Sequence, residues 1–239
     1  MRNDMTMEGP RTVISVSGLA SGVGKTRVAC LLLSHFKHWS AMKVTVCHHA
    51  EPCPRAKPCG VCARLDKPFS IITDPVILGE RWSDTGRMKE AGARHLIWLQ
   101  CAPEFVADGV DAALVRFRPD ETVVLESNSA VELVKPAISI MVMDTEHVEV
   151  KASAQKLRDV VDMCVICHRR KVYYKVLRQT MALGRALFPR AEIFPLDVQA
   201  PDPERAAYRL LSAIRTRLNL PPVSHQQPPQ PPRRPPPRR

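Results

Sequence analysis

The chain alternates short runs of consecutive apolar residues with longer segments whose apolar positions recur at helical spacing. Apolar runs without polar alternation are typical of strands buried on both faces, as in parallel sheets covered by helices. The pattern predicts strands at 13–17, 43–47, 95–99, 122–125, 138–143, 162–167 and 191–196, and helices at 27–37, 84–92, 103–117, 153–160, 173–187 and 203–218. This alternation predicts an α/β fold with a doubly wound, mainly parallel sheet.

Length and composition agree with one globular domain. The chain has 239 residues, of which 45% are hydrophobic and 25% are charged. We expect a flexible N-terminus at 1–11, a folded domain at 12–220 and a disordered tail at 221–239 that is rich in proline and arginine. No apolar run reaches the roughly 18 residues of a membrane span, and no apolar leader begins the chain. We therefore expect a cytoplasmic protein with no membrane partner.

The net charge of +11 bears on the choice of partner. Only part of it belongs to the tail, whose 19 residues hold four arginines and no acid, so the folded body is basic as well. A basic body attracts anions such as nucleotides, phosphorylated cofactors or nucleic acid, although solubility alone would also explain it.

The strongest motif is GLASGVGKT, which lies between the first predicted strand and the first predicted helix. A phosphate-binding loop needs glycines so that backbone N–H groups turn inwards, a lysine for the β- and γ-phosphates, and a hydroxyl for Mg²⁺. Lys25 and Thr26 supply the last two, and the following helix N-terminus favours negative charge. The sequence predicts that a nucleotide is bound by Gly18, Ser21, Gly22, Val23, Gly24, Lys25, Thr26 and Arg27.

An acidic residue at the end of a neighbouring strand usually helps to hold Mg²⁺ in such a site. Glu126 ends the run VVLE and is the first candidate, and Asp144, at the end of SIMVMD, is the second. Asp84 is a third candidate, as a switch residue linked to the metal. We assign catalytic roles to Lys25, Thr26 and Glu126, and Mg²⁺ to Thr26, Glu126 and Asp84.

Four cysteines fall within 16 residues, inside an irregular insertion at 47–68. They are Cys47, Cys53, Cys59 and Cys62, and the last two form a C-x2-C pair that can place both sulfurs on one ion. Zinc and an iron–sulfur cluster both stay open as the ligand of these thiols. His48 and His49 lie beside Cys47 and could face the nucleotide instead. Cys164 and Cys167, by contrast, lie in an apolar strand and are predicted to be core thiols.

Two resemblances follow from these motifs. The G-x5-G-K-T spacing resembles the loops of dethiobiotin synthetases and cobyrinic acid amide synthases, in the MinD-like branch of P-loop NTPases. A second lysine found in the MinD version would fall at Ala20, so its mechanism across a dimer is disfavoured. The segment 84–93, with a histidine-ended strand before it and Glu126 after it, resembles the molybdopterin-guanine dinucleotide biosynthesis adaptor (MobB) family over residues 12–130. Ser127-Asn128-Ser129 stands where that family has a glycine-containing turn.

The resemblance implies slow hydrolysis of a nucleoside triphosphate with Mg²⁺, in support of molybdenum cofactor or other metallocofactor assembly with a client protein. The strand at 162–167 ends in Cys-His-Arg-Arg-Lys and not in the Asn-Lys-x-Asp of many GTP-binding relatives, so GTP and ATP both stay open. Arg87 and Lys89 are candidates for phosphate or switch contacts. The alternatives are an ATP-dependent ligase or amide synthase and, ranked last because aromatic residues are few, a zinc-containing nucleic-acid-binding module. A homodimer is compatible with the sequence.

Overall fold

The structure, a computed structural model, describes residues 11–47, 65, 67–147, 149–169 and 172–221. Most of the predicted Cys-rich insertion, the predicted flexible N-terminus up to residue 10 and the predicted tail from residue 222 lie outside the described residues. The domain boundaries inferred from composition therefore stay predictions.

The described residues form one sheet of eight strands. The strands are β1 (Thr12–Gly18), β2 (Ser40–Val46), β3 (Phe69–Ile72), β4 (Leu96–Cys101), β5 (Thr122–Glu126), β6 (Ile138–Asp144), β7 (Met163–His168) and β8 (Glu192–Asp197). Their order across the sheet is β3-β4-β2-β5-β1-β6-β7-β8. All neighbouring pairs are parallel except β3 and β4, which are antiparallel. The predicted α/β fold with a mainly parallel sheet is confirmed.

Helices connect the strands along the described chain. They are α1 (Lys25–His35), α2 (Pro75–Leu78), α3 (Asp84–Glu90), α4 (Val106–Leu114), α5 (Val131–Val134), α6 (Ala152–Gln155), α7 (Tyr174–Leu187), α8 (Pro203–Ala206) and α9 (Tyr208–Arg217), with a 3₁₀ turn at Pro103–Phe105. Among the described residues, no helix is both long and apolar enough to cross a bilayer.

Both faces of the sheet are buried, which explains the continuous apolar runs. In β1, Ile14 and Val16 belong to a cluster with side chains of α1 and α9, whereas Val13 points to a second cluster that includes α4. In β6, Met141 and Met143 join a third cluster beside α7. Successive strand residues point to opposite faces, so a strand covered on both sides carries apolar residues on both of its faces.

Three local predictions differ from the structure. The edge strand β3 was not expected, and all four of its residues are only half-buried, which gives a weak apolar signal. The helix predicted at 153–160 keeps α-helical geometry only through α6, because the following N–H groups bond three residues back, as in a 3₁₀ turn. The helix predicted at 203–218 is two helices, α8 and α9, with Ala207 between them.

The topology places the end of β1 at the centre of the sheet. From β1 the chain moves to one side, through β2, β4 and β5, and then crosses to β6, β7 and β8 on the other side. In open α/β sheets, ligands bind where the strand order reverses, outside the carboxyl ends of the strands. The loop that leaves β1 lies at this point.

Candidate phosphate-binding site

The loop between β1 and α1 has the backbone that a phosphate-binding loop requires. Gly24 has φ of +104°, a conformation that side chains with a Cβ rarely adopt. A Cβ on Gly24 would also lie 3.1 Å from the sulfur of Cys167 on β7. The helix α1 begins at the next residue, so its free N–H groups and the positive end of its dipole face the loop.

Lys25 lies across the start of the loop. A Cβ on Gly18 would lie 2.8 Å from Cγ of Lys25, so the aliphatic part of the lysine passes directly over this glycine. The absence of a side chain at Gly18 therefore gives room to the lysine stem. Burial lowers the pKa of Lys25; the charge of Glu126 opposes this, and the nearby ammonium groups of Lys43 and Lys151 add to the lowering. An anion bound beside Lys25 would stabilise the protonated, charged form of this lysine.

A side-chain amide holds the entry to the loop. Asn128 accepts a hydrogen bond from the Gly18 N–H at 2.9 Å and donates one to the Gly18 carbonyl at 2.9 Å. The hydroxyl of Ser17 donates to the carbonyl of Ser127 at 2.7 Å. Ser127 and Asn128 therefore fix the backbone where β1 ends.

Lys43 on β2 joins two of the predicted acids. Its ammonium donates to Asp84 Oδ2 at 2.6 Å and to Glu126 Oε1 at 2.8 Å. The Glu126 side chain is 3% exposed, whereas that of Asp84 is 43% exposed. Asp84 is the first residue of α3, and Glu126 is the last residue of β5. The three charges thus meet although they come from three separate elements.

The pKa shifts show how strongly these charges interact. Burial alone would lower the pKa of Lys43, but the carboxylates of Glu126 and Asp84 outweigh burial and raise it. Burial alone would raise the pKa of Asp84, but the charge and hydrogen bond of Lys43, together with a hydrogen bond to Thr26, lower it. Lys43 and Asp84 are therefore both charged at neutral pH.

The donor set around Thr26 suits a hard divalent cation. The Thr26 hydroxyl lies close enough to Asp84 to lower its pKa, and Asp84 and Glu126 share the ammonium of Lys43. Glu126 Oε2 is buried and has no hydrogen-bond partner among the residues that the structure describes. A buried, unpartnered carboxylate oxygen is costly, so a ligand that supplies a positive charge would stabilise it. Hydroxyl and carboxylate oxygens are the protein ligands that Mg²⁺ prefers.

These residues surround one pocket of about 870 Å³. Its cationic side chains outnumber its carboxylates by five to two, so it carries an excess of positive charge. The cations are Lys25, Arg27, Lys43, Arg87 and Lys151, and the carboxylates are Asp84 and Glu126. The predicted loop residues Ser21, Gly22, Gly24 and Thr26 also line it. Such a pocket fits a polyanion.

Some of the residues that the sequence predicts for the site do not contact the main pocket, or contact it only in part. Val23 is buried, and it lines a neighbouring cavity. Asp144, the second acid candidate, also lines that cavity and accepts a hydrogen bond from His147 at 2.7 Å. Arg87 reaches the main pocket, 4.0 Å from Asp84, whereas Lys89 lies outside it and donates to the Pro75 carbonyl.

The neighbouring cavity, of about 520 Å³, continues the site on the other side of the loop. It shares Gly22, Gly24 and Arg27 with the main pocket. His168 and Arg169, at the end of β7, line its far wall. The two cavities together offer room for a phosphate chain and a nucleoside.

The predicted metal cluster of cysteines is mostly untested by the structure. Cys53, Cys59 and Cys62 lie outside the described residues. Cys47 follows β2 and is buried; its sulfur is in a disulfide bond, which would have to be reduced before it could bind a metal. Within the described ranges, no group of three or more His, Cys, Asp or Glu side chains could hold a metal ion.

Two cysteines outside the insertion were predicted to lie in the hydrophobic core, and they do. Cys164 and Cys167 are free and buried on β7, as predicted. Burial raises the pKa of each thiol to about 12, so both are unreactive at neutral pH.

Sequence reasoning missed three residues of the site: Lys43, Asn128 and Lys151. Lys43 carried a usable signal, because a lysine within the apolar run SAMKVTV needs a charged partner when the strand is buried. Asn128 and Lys151 carried none, because each contacts a residue more than 100 positions away.

The chain matches no protein-family model and no curated protein sequence. Among solved structures, it is similar to HypB from Helicobacter pylori, crystallised in complex with nickel, with a TM-score of 0.48 and 12% sequence identity. The match covers 90% of this chain and 91% of that chain.

Proposed function

We propose that this chain binds a nucleoside triphosphate with Mg²⁺ in the main pocket and hydrolyses it slowly. The observation that carries the proposal is that three features lie in one pocket. These are a phosphate-loop backbone, a buried Lys43–Glu126 ion pair and an excess of cationic side chains. Either GTP or ATP fits the proposal, with the nucleoside half in the neighbouring cavity beside His168 and Arg169.

Each residue has a defined part in this reaction. The N–H groups of the loop and of the start of α1 bind the phosphate oxygens, and the ammonium of Lys25 offsets the charge of the β- and γ-phosphates. Thr26, Asp84 and Glu126 would hold Mg²⁺ directly or through water. The bound ion would offset negative charge on the phosphates.

Slow turnover follows from the proton acceptors of the pocket. Among its lining residues, only Asp84 and Glu126 could accept a proton from water, and both are bonded to Lys43. A carboxylate that is paired with an ammonium is a weak base, so neither residue activates water strongly. Slow hydrolysis suits a switch or an accessory protein better than a metabolic enzyme.

A second candidate is an ATP-dependent ligase or amide synthase. It is favoured by the extension of the pocket beyond the loop to Thr45 and Arg87, which leaves room for an acid substrate next to the phosphates. Steady-state hydrolysis of GTP and ATP separates the two candidates. We expect a low basal rate that small carboxylic acids do not change. A rate that rises at least about tenfold with an acid would favour the ligase instead.

We further propose that the protein serves the assembly of a molybdenum cofactor or another metallocofactor, together with a client protein. This part rests on the resemblance to the MobB family and on the four clustered cysteines, which would hold zinc or an iron–sulfur cluster once the disulfide bond of Cys47 is reduced.

Anaerobic purification with elemental analysis tests the metal directly. We expect stoichiometric zinc or iron in the wild type, and its loss when Cys53, Cys59 and Cys62 are all replaced by Ser. The matched control is Cys30→Ser, which alters a free, partly buried thiol of α1 and should leave the metal content unchanged. A wild-type protein without metal would contradict the cysteine site and leave the nucleotide site unaffected.

A further inference from the structure

Lys151 is outside the phosphate-loop motif but touches the middle of the loop. Its ammonium donates to the hydroxyl of Ser21 at 2.6 Å, across 130 positions of sequence. It also lines the main pocket, along with Lys25 and Lys43. A cationic side chain therefore contacts the part of the loop that would enclose the phosphates.

The backbone at Lys151 is fixed against the loop. The Lys151 N–H donates to the Leu19 carbonyl at 3.0 Å, and two residues later Ser153 Oγ lies 3.3 Å from the amide nitrogen of Asn128. Asn128 in turn holds both backbone groups of Gly18. The start of α6 is thus bonded to the loop directly at Leu19 and indirectly through Asn128, while the Lys151 side chain is exposed.

The hydroxyl of Ser21 is a weak partner for this ammonium. A neutral hydroxyl gives a charged donor less stabilisation than a phosphate oxygen would, because charge-assisted pairs with an ionised acceptor are stronger. Among the described residues, Lys151 has no ion pair with a carboxylate. An anion on the loop would therefore attract it away from Ser21.

We propose that Lys151 is a catalytic residue that contacts the outer oxygens of the bound triphosphate and stabilises the transition state of hydrolysis. This inference rests on the proposed nucleotide function. In the step, the oxygen of water bonds to the γ-phosphorus and the bond from γ-phosphorus to the β–γ bridging oxygen breaks. Its electron pair stays on the nucleoside diphosphate, and a water proton passes to the released phosphate. Lys151 offsets the negative charge that gathers on the bridging and γ-oxygens.

The test compares single-turnover hydrolysis with nucleotide affinity in full-length Lys151→Ala. We expect the rate to fall by about 100-fold or more, as when one donor to a transition-state oxyanion is removed. The affinity for a non-hydrolysable triphosphate should change by less than about threefold, because the contact matters mainly in the transition state. Lys151→Arg should recover part of the rate.

Two further measurements separate a catalytic role from a structural one. The diphosphate with aluminium fluoride, which imitates the transition state, should bind at least about tenfold more weakly to Lys151→Ala, with the diphosphate alone unaffected. Lys156→Ala removes an exposed lysine just beyond α6 and should behave as the wild type.

The outcomes distinguish this inference from the proposed function. A wild-type protein that does not hydrolyse either nucleotide overturns both. Normal wild-type hydrolysis with an unchanged rate in Lys151→Ala overturns only the role of Lys151. An equal loss of rate and ground-state affinity also overturns it, because Lys151 would then be a binding residue alone.

Discussion

Replacing Lys25 with Ala is expected to weaken triphosphate binding by about 100-fold, because a charge-assisted contact in a partly buried site contributes about 3 kcal/mol. Lys25 is mostly buried over Gly18, and its pKa is lowered chiefly by that burial. Its ammonium is therefore poorly hydrated before the nucleotide arrives and gains strongly from a phosphate. Equilibrium titration with a non-hydrolysable GTP or ATP analogue measures the change.

The matched control is Lys37→Ala, which removes an exposed lysine just after α1. This variant should bind as the wild type does. Lys25→Ala should also keep the unfolding temperature of the nucleotide-free protein, because its loss removes a desolvated charge that has no carboxylate bonded to it within the described residues. Unchanged affinity in a folded Lys25→Ala would place the phosphates elsewhere.

Replacing Glu126 with Gln is expected to lower the hydrolysis rate by about 100-fold and the triphosphate affinity by less than about fivefold. The substitution keeps the shape of a buried side chain and removes its charge. It deprives the proposed Mg²⁺ of one carboxylate and leaves Lys43 with Asp84 as its ionised partner. Rates at increasing Mg²⁺ should rise towards the wild-type value if the loss is one of metal binding.

Glu132→Gln is the control for this charge change. Glu132 is exposed on α5, six positions along the chain, and its variant should hydrolyse at the wild-type rate. A Glu126→Gln protein that hydrolyses normally at low Mg²⁺ would show that Glu126 serves only to hold Lys43 in the fold.

The parallel sheet was predictable because its signal is local. The central strands carry apolar residues on both faces, since helices cover both, as the buried run from Ile138 to Met143 shows. The strand β3 was not predictable in the same way, because its residues are half-buried at the edge of the sheet. The residues at which helices end were also hard to predict, because they depend on hydrogen bonds that the residue pattern does not show. The 3₁₀ turns after α6 are an example.

The phosphate loop was predictable for a similar reason, because its glycines, Lys25 and Thr26 are consecutive in sequence. The rest of the site depends on long-range contacts. Lys43 meets Asp84 across 41 positions and Glu126 across 83 positions, and only the strand order β2-β5-β1 brings them together. The sequence pointed to Glu126 and Asp84 as separate acids. It could not show that one ammonium joins them.

Binding of a nucleoside triphosphate in the main pocket can be measured by calorimetric titration. The wild-type protein is titrated with non-hydrolysable GTP and ATP analogues, once with Mg²⁺ and once with a chelator. We expect one site per chain for at least one nucleotide, with a Kd of about 10 µM or tighter, weaker binding of the diphosphate, and weaker binding without Mg²⁺. Absence of binding by both triphosphates at millimolar concentration would contradict the account.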